Sequence, residues 1–329
     1  MGKAGRIMNV GIMGAGGIAV SMANTIRQMP DVKLYAIASR TARKAEDFAR
    51  EFAVEKAYGS YEEMVRDDKV DLVYIATPHS EHYDGMKLCL AHGKAILCEK
   101  AFTANARQAK EILAEAKEKG ILVAEAIWTR YMPFLKNMQD VMNSGIIGDP
   151  YMLTANLGYV IHHVKRMTDP ALAGGALLDV GVYTLNFAAM MFGDQIAKIS
   201  SVCTYTDTGV DRQNSVTLVF RDGRMAVLNS SMMAKSDRKG IIHGSKGYMI
   251  IENINNFAGL KVYDIDDQEI CSYYAPQQIS GYEYEVEACR QALKEGKTEC
   301  EQMPHKETIR IMELMDEIRQ QWNIQYPFE

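Results

Sequence analysis

The stretch Val10-Gly11-Ile12-Met13-Gly14-Ala15-Gly16-Gly17-Ile18-Ala19 constrains this chain more than any other. A β-rich apolar run at 7–13 ends in glycines, and a helical period starts at Ile18. Gly14, Gly16 and Ala19 satisfy G-x-G-x-x-G/A. In that pattern the first glycine permits a tight turn, the second lets backbone approach a pyrophosphate, and the small third residue lets helix pack on strand. Gly14, Ala15, Gly16, Gly17 and Ile18 are therefore candidate cofactor contacts, with free N–H groups of the helix start facing the anion. An ordinary tight strand-to-helix turn has the same local pattern. The flanking strand, the flanking helix and the repeats that follow favour a dinucleotide.

Those repeats set the fold class. Apolar runs at 33–39, 72–76, 95–98 and 121–124 alternate with helical stretches at 18–29, 42–52, 61–66, 79–92 and 105–119, the form of a parallel sheet covered on both faces. After about residue 126 the rhythm changes. Period-two runs at 151–160, 197–205, 215–220, 225–232, 247–252 and 261–264 follow one another across turn signals such as Arg221-Asp222-Gly223. They predict an open, mainly antiparallel sheet. Helical stretches lie at 177–191, 283–294 and 306–322. The expected fold is α/β: a doubly wound Rossmann domain over residues 1–125, then an α/β domain over 126–329 for substrate binding and oligomerisation, its last helices free to pack back on the first. A chain of 329 residues is long enough for both.

Composition narrows the partners. Lys plus Arg total 37 and Asp plus Glu 42, a net charge of −5 that argues against nucleic acid. Six scattered cysteines with no C-x-x-C pair suggest neither a disulfide framework nor a metal site, and read as reduced cytoplasmic thiols. No apolar run approaches a membrane span, glycines follow the N-terminus too soon for a signal peptide, and Arg6 after Met1-Gly2 counts against myristoylation. A cytoplasmic protein without membrane partners is expected.

In open α/β sheets ligands sit outside the carboxyl ends of the strands. The second run ends in Ser39-Arg40, where NAD enzymes usually place an acidic residue, and Arg43 and Lys44 follow. A hydroxyl and a planar guanidinium suit a 2′-phosphate, so NADP(H) is favoured over NAD(H). Arg40 stacking on adenine, and Arg43 with Lys44 as a solvated helix face, are the plainer alternatives. Later runs deliver Thr77-Pro78-His79-Ser80-Glu81-His82, Glu99-Lys100, and Trp128-Thr129-Arg130 to the same edge. Lys100 stands either in a cleft with its ammonium partly desolvated or at the start of a surface loop. His79 and His82 could share a helix face, but nothing supplies further metal ligands. Asp179 and Tyr183, four apart, would project from one helix face as a carboxylate beside a phenol, or be a cap and a core residue.

Together these residues resemble the glucose-fructose oxidoreductase / inositol dehydrogenase / rhizopine catabolism (Gfo/Idh/MocA) family, closest to its branch of dimeric dihydrodiol and NADP-dependent D-xylose dehydrogenases. The glycine turn, Ala38-Ser39-Arg40, Ala57-Tyr58-Gly59-Ser60-Tyr61, Cys98-Glu99-Lys100, Glu125 to Arg130, Gly174 to Tyr183 and the closing helices carry the likeness. It implies that Lys100, Asp179 and Tyr183 line the nicotinamide and substrate cleft, that Thr77, Pro78, His82, Glu99, Trp128 and Arg130 contact the cofactor's ribose and nicotinamide end, and that His163 and Arg166 approach substrate. It also implies a homodimer or homotetramer joined through the open sheet. Where the family usually has proline after Glu-Lys, this chain has Ala101, which relaxes the backbone restriction on Lys100.

The expected activity is hydride transfer between NADP(H) and a secondary alcohol or carbonyl of a sugar, sugar derivative or trans-dihydrodiol. Tyr183 would carry the proton, its phenolate favoured by the Lys100 ammonium, and Asp179 would orient one or both; Lys100 could itself be the carrier. A non-catalytic NAD(P)-binding sensor of the same fold is the alternative. Retention of lysine, aspartate and tyrosine together speaks against it.

Overall fold

The computed structural model describes residues 7–329; the Met-Gly start and Arg6 lie outside the described residues. β1 (Met8–Met13) is buried almost throughout, as a strand flanked on both sides and covered on both faces must be. It pairs in parallel with β2 (Val32–Ala38) and β4 (Leu72–Ile75). With β3 (Lys56–Tyr58), β5 (Ala95–Glu99) and β6 (Val123–Ala126) they form a sheet of order β3-β2-β1-β4-β5-β6. The order reverses between β1 and β4, which makes that edge the switch point where such sheets bind ligands. β3 has no counterpart among the sequence runs, since three residues, two of them exposed, cannot show a period.

The crossovers are α1 (Gly17–Ile26), α2 (Ala42–Phe52), α3 (Tyr61–Val65), α4 (His79–Ala91) and α5 (Ala106–Lys119). α2 turns Ala45, Phe48 and Phe52 inward at helical spacing. Asn105 caps α5 by accepting the Gln108 N–H, and Gly120, left-handed at φ +65°, ends it.

The second sheet has the order β14-β13-β12-β11-β7-β10-β9-β8. Its strands are β7 (Pro150–Gly158), β8 (Ile196–Tyr205), β9 (Asp211–Phe220), β10 (Met225–Ser231), β11 (Gly240–Gly244), β12 (Gly247–Glu252), β13 (Gly259–Asp264) and β14 (Glu269–Tyr274). Among these described strands only the β7–β10 pair is parallel. Alternation along β7 and β10 buries Leu153, Ala155, Leu157, Ala226 and Leu228 and leaves Met152 and Met225 exposed. This unit also holds α6 (Phe134–Asn143), α7 (Lys165–Thr168) and α8 (Val182–Phe192), which packs on β7 and β10.

α9 (Glu283–Glu295) and α10 (His305–Gln321) close the chain. Contacts divide the molecule into one unit that runs to Trp128 and includes Gln278–Met312, and another of Thr129–Gln277 with Glu313–Glu329. A single cut after residue 125 does not describe this. The edge of β6 is the reason: the Val123 N–H donates to the Thr298 carbonyl at 3.0 Å, and His305 Nε2 lies 2.9 Å from the Val123 carbonyl. One further expectation is corrected. The helical stretch Pro170–Phe192 is, by length and composition, apolar enough to cross a membrane, but 89% of its apolar window is buried inside the fold.

Candidate active site

The first-unit candidates stand at the carboxyl ends of β1, β2, β4, β5 and β6 or in the loops and helix starts that follow. Gly14 leaves β1 at φ +101°, and a Cβ there would lie 2.9 Å from the Ala76 carbonyl oxygen, so both backbone and space require glycine. Gly16 caps α1 with, among the described residues, no side-chain hydrogen bond to the helix end, and the first turn carries no acid. Among the described residues nothing lies within 4 Å of where a Cβ would stand on Gly16 or Gly17. Open space over an uncapped helix start, between half-buried Ala15 and Ile18, fits a dinucleotide pyrophosphate.

At the end of β2, Ser39 is buried and its N–H donates to the Tyr58 carbonyl at 3.2 Å, while Arg40 is exposed. Residues 39–44 contain no carboxylate. Arg43, with its side chain 91% exposed and 3.8 Å from Asp47, belongs to a solvated helix face.

Past β4, Thr77 and Pro78 are half-buried and Pro78 opens α4. His82 departs from the expected cofactor contact. It is fully buried, with Nε2 2.9 Å from the Thr77 carbonyl and Nδ1 2.9 Å from that of Ala101. Both ring nitrogens thus face backbone carbonyls, and burial holds the imidazole below its usual pKa, so the neutral ring donates its one N–H to one of the two. His82 clamps the loop after β4 to the loop after β5. In the second of these loops the Lys100–Ala101 peptide is cis. Ala101 and Phe102 are fully buried there, so packing and the His82 contact hold the loop at the place where a proline was expected. Glu99 is buried, accepts a hydrogen bond from the Tyr74 hydroxyl, and through Oε2 accepts the Lys100 N–H at 3.2 Å. Lys100 itself is half-buried.

Two residues here escaped the sequence reading because they arrive with α9, far along the chain. Tyr282 stacks on Trp128, ring centroids 4.2 Å apart and planes at 12°. Glu285 is fully buried with no hydrogen-bond partner among the described residues for either carboxyl oxygen, and burial and the nearby Glu99 push it well above the usual carboxyl range.

Arg130, expected beside the cofactor with Trp128, belongs to the second unit. Its Nε donates to Asn186 Oδ1 at 2.6 Å, and Asn186 Nδ2 donates to the Val182 carbonyl at 2.8 Å, which ties the guanidinium to α8. Asp179 sits in a π turn, Leu177–Gly181, closed by the Val182 N–H on the Leu177 carbonyl. Such wide turns recur at functional sites. Asp179 is buried and accepts from Arg166 Nη1 at 2.7 Å, so two separately chosen residues form one ion pair. Tyr183 is buried in the first turn of α8. His163 is exposed, edge-on to His162 with centroids 5.9 Å apart. The start of the π turn is held by Asp211, unsuspected from sequence: its buried carboxylate accepts from the Leu177 N–H and Asn214 Nδ2, each at 2.8 Å, and burial pushes it up to about 6.

A glycine turn with an uncapped helix start at the switch point of a 3-2-1-4-5-6 sheet defines a dinucleotide-binding α/β protein. Comparison with known proteins refines this. Residues 8–126 match the oxidoreductase family with NAD-binding Rossmann fold, and residues 135–250 match the GFO/IDH/MocA C-terminal domain. The chain is 34% identical over 328 residues to trans-1,2-dihydrobenzene-1,2-diol dehydrogenase of Mus musculus, covering 96% of this chain and 97% of the relative. It is 32% identical over 325 residues to the Homo sapiens protein of that name, with the same coverage, 96% and 97%. A 3-ketoreductase from Actinomadura kijaniata, crystallised with NADP and TDP-benzene, shares the fold with a TM-score of 0.88 at 24% identity over 96% of this chain and 98% of that one. An aldose-aldose oxidoreductase from Caulobacter crescentus does so with a TM-score of 0.87 at 19% identity over 97% and 98%. The chain belongs to the GFO/IDH/MocA oxidoreductase family and is an NAD(P)-dependent dehydrogenase or reductase.

Proposed function

We propose that this enzyme prefers NADP(H) to NAD(H) and acts on a secondary alcohol, or the matching carbonyl, of a trans-dihydrodiol, sugar or sugar derivative. The observation that carries the cofactor preference is the end of β2. Ser39 and an exposed Arg40 stand there and no carboxylate follows through Lys44, so a 2′-phosphate meets donors and no repulsion. The substrate class is supported by relatives of nearly equal length named for a dihydrodiol.

When bound, NADP(H) supplies or accepts the hydride. The chain's own residues handle the proton. Tyr183 holds it on the phenol oxygen, and Lys100 supplies an ammonium to steady the alkoxide that forms on substrate. Asp179 keeps the π turn in register through Arg166, whose remaining donors, together with His163, would meet substrate hydroxyls. Exposed Met152, Val202 and Met225 on the uncovered sheet face support self-association there.

The test is turnover of NADP with trans-1,2-dihydrobenzene-1,2-diol and a panel of aldoses. Wild type should turn over at least one of them, and Lys100→Met and Tyr183→Phe should each lose about a hundredfold or more in kcat while still binding NADPH. Intact turnover in either variant removes that residue from the mechanism.

A further inference from the structure

We propose that Tyr326, near the end of the chain, is a positioning residue for the helix that carries Asp179 and Tyr183. It is buried, and its hydroxyl donates to the Gly174 carbonyl at 2.8 Å. That carbonyl is a junction. The Gly174 N–H donates to the Asp169 carbonyl at 3.1 Å and the Gly175 N–H to the Met167 carbonyl at 2.9 Å, which folds the turn bearing Arg166 onto the start of the helix. A Cβ on Gly174 would stand 2.8 Å from the Arg166 carbonyl oxygen, and one on Gly175 2.4 Å from Asp211 Oδ1. The backbone at this point is closely packed, and the phenol fixes the Gly174 carbonyl as well.

The phenol is itself held. The Arg319 guanidinium lies 4.6 Å from its ring centroid and forks onto Glu329, Nη1 to Oε2 at 2.9 Å and Nη2 to Oε1 at 2.8 Å, with Asp316 on Nη2 at 2.9 Å. Glu329 Oε2 also accepts the Tyr326 N–H at 2.8 Å. A buried arginine with its fork filled loses little freedom when it fixes an aromatic ring. The final turn therefore sets the direction in which residues 177–183 leave Gly175, from one side, as Asp211 sets it from the other.

This rests on the reading of Asp179 and Tyr183 as proton machinery, and the experiment separates the two. Tyr326→Phe keeps the ring under Arg319 and removes only the hydroxyl. With NADP and trans-1,2-dihydrobenzene-1,2-diol, in the full chain and below the onset of melting, kcat should fall about tenfold, the cost of a small misplacement of reacting groups, while NADPH affinity stays within about twofold. Glu329→Gln, which weakens the fork and leaves the phenol, should fall between wild type and Tyr326→Phe, and it serves if Tyr326→Phe does not fold. A variant that melts earlier yet keeps wild-type kcat when folded would show a structural role only and overturn the proposal. Loss of NADPH binding would overturn it too. Should Tyr183→Phe keep full kcat, the proton assignment fails first, whatever Tyr326→Phe does.

Discussion

Asp211 gives the structure its most quantitative pH dependence. Burial of the carboxylate outweighs the hydrogen bonds from Asn214 Nδ2, the Leu177 N–H and its own backbone N–H, and the more distant pull of Arg319; the balance raises it from 3.8 to about 6. For a carboxyl raised in the fold, the folded state keeps its proton where the unfolded chain has lost it. Its contribution is therefore most favourable at or below pH 3.8, declines as pH rises, and is spent once pH passes about 6. The rise corresponds to about 3 kcal/mol between those limits, an order-of-magnitude figure. Asp211→Asn mimics the protonated form: the amide oxygen still accepts from the Leu177 N–H, and Asn214 can rotate its own amide to present oxygen. Groups that titrate in both proteins cancel in the difference, so the stability of wild type relative to the variant should fall by about 2–3 kcal/mol from about pH 4 to about pH 7. Urea unfolding at each pH supplies the difference. The chain has two tryptophans, one in each unit, so in a Trp128→Phe background the fluorescence of buried Trp322 follows the second unit alone. A difference flat across that range, or one that grows with pH, would refute the burial argument.

Two further outcomes are expected. Arg40→Asp removes the guanidinium proposed to meet the 2′-phosphate and supplies an acceptor for a ribose hydroxyl, so the NADPH-to-NADH affinity ratio should fall about tenfold or more by fluorescence titration; an unchanged ratio would place the preference elsewhere. His82→Leu removes the one N–H that the neutral imidazole offers to the carbonyls of Thr77 and Ala101, which should cost about 1–3 kcal/mol in the first unit's unfolding and loosen the Lys100 loop, seen as faster amide exchange at residues 100–103. Wild-type exchange there would mean that packing alone holds the loop.

How much of this was legible in the sequence follows from the range of the interactions. Strand-then-helix alternation is local, so the parallel sheet, its glycine turn and the candidates at strand ends can be read directly. The change to period two marks the second sheet just as plainly. β3, β11 and β14 were missed because they are short or half-exposed and take their place from neighbours rather than from their own pattern. In the site, Lys100, Asp179 and Tyr183 were visible as polar residues set in apolar surroundings. The long-range contacts around them were not. Asp211 and Tyr326, which hold Leu177 and Gly174, come from other parts of the chain, as do Tyr282 on Trp128 and Glu285 near Glu99, and His82 reads as a cofactor contact until the backbone carbonyls at its two ring nitrogens are seen. Side chains that satisfy backbone carry no motif, because any spacing can deliver them.

The most direct measurement is isotope transfer. NADPH carrying deuterium at C4 of the nicotinamide, incubated with enzyme and the carbonyl form of the best substrate, should deliver deuterium to the product carbinol carbon in step with cofactor oxidation, and Tyr183→Phe should slow both together. Saturable NADPH binding with no deuterium in any product across the panel would contradict the catalytic reading and leave a protein that binds its cofactor without using it.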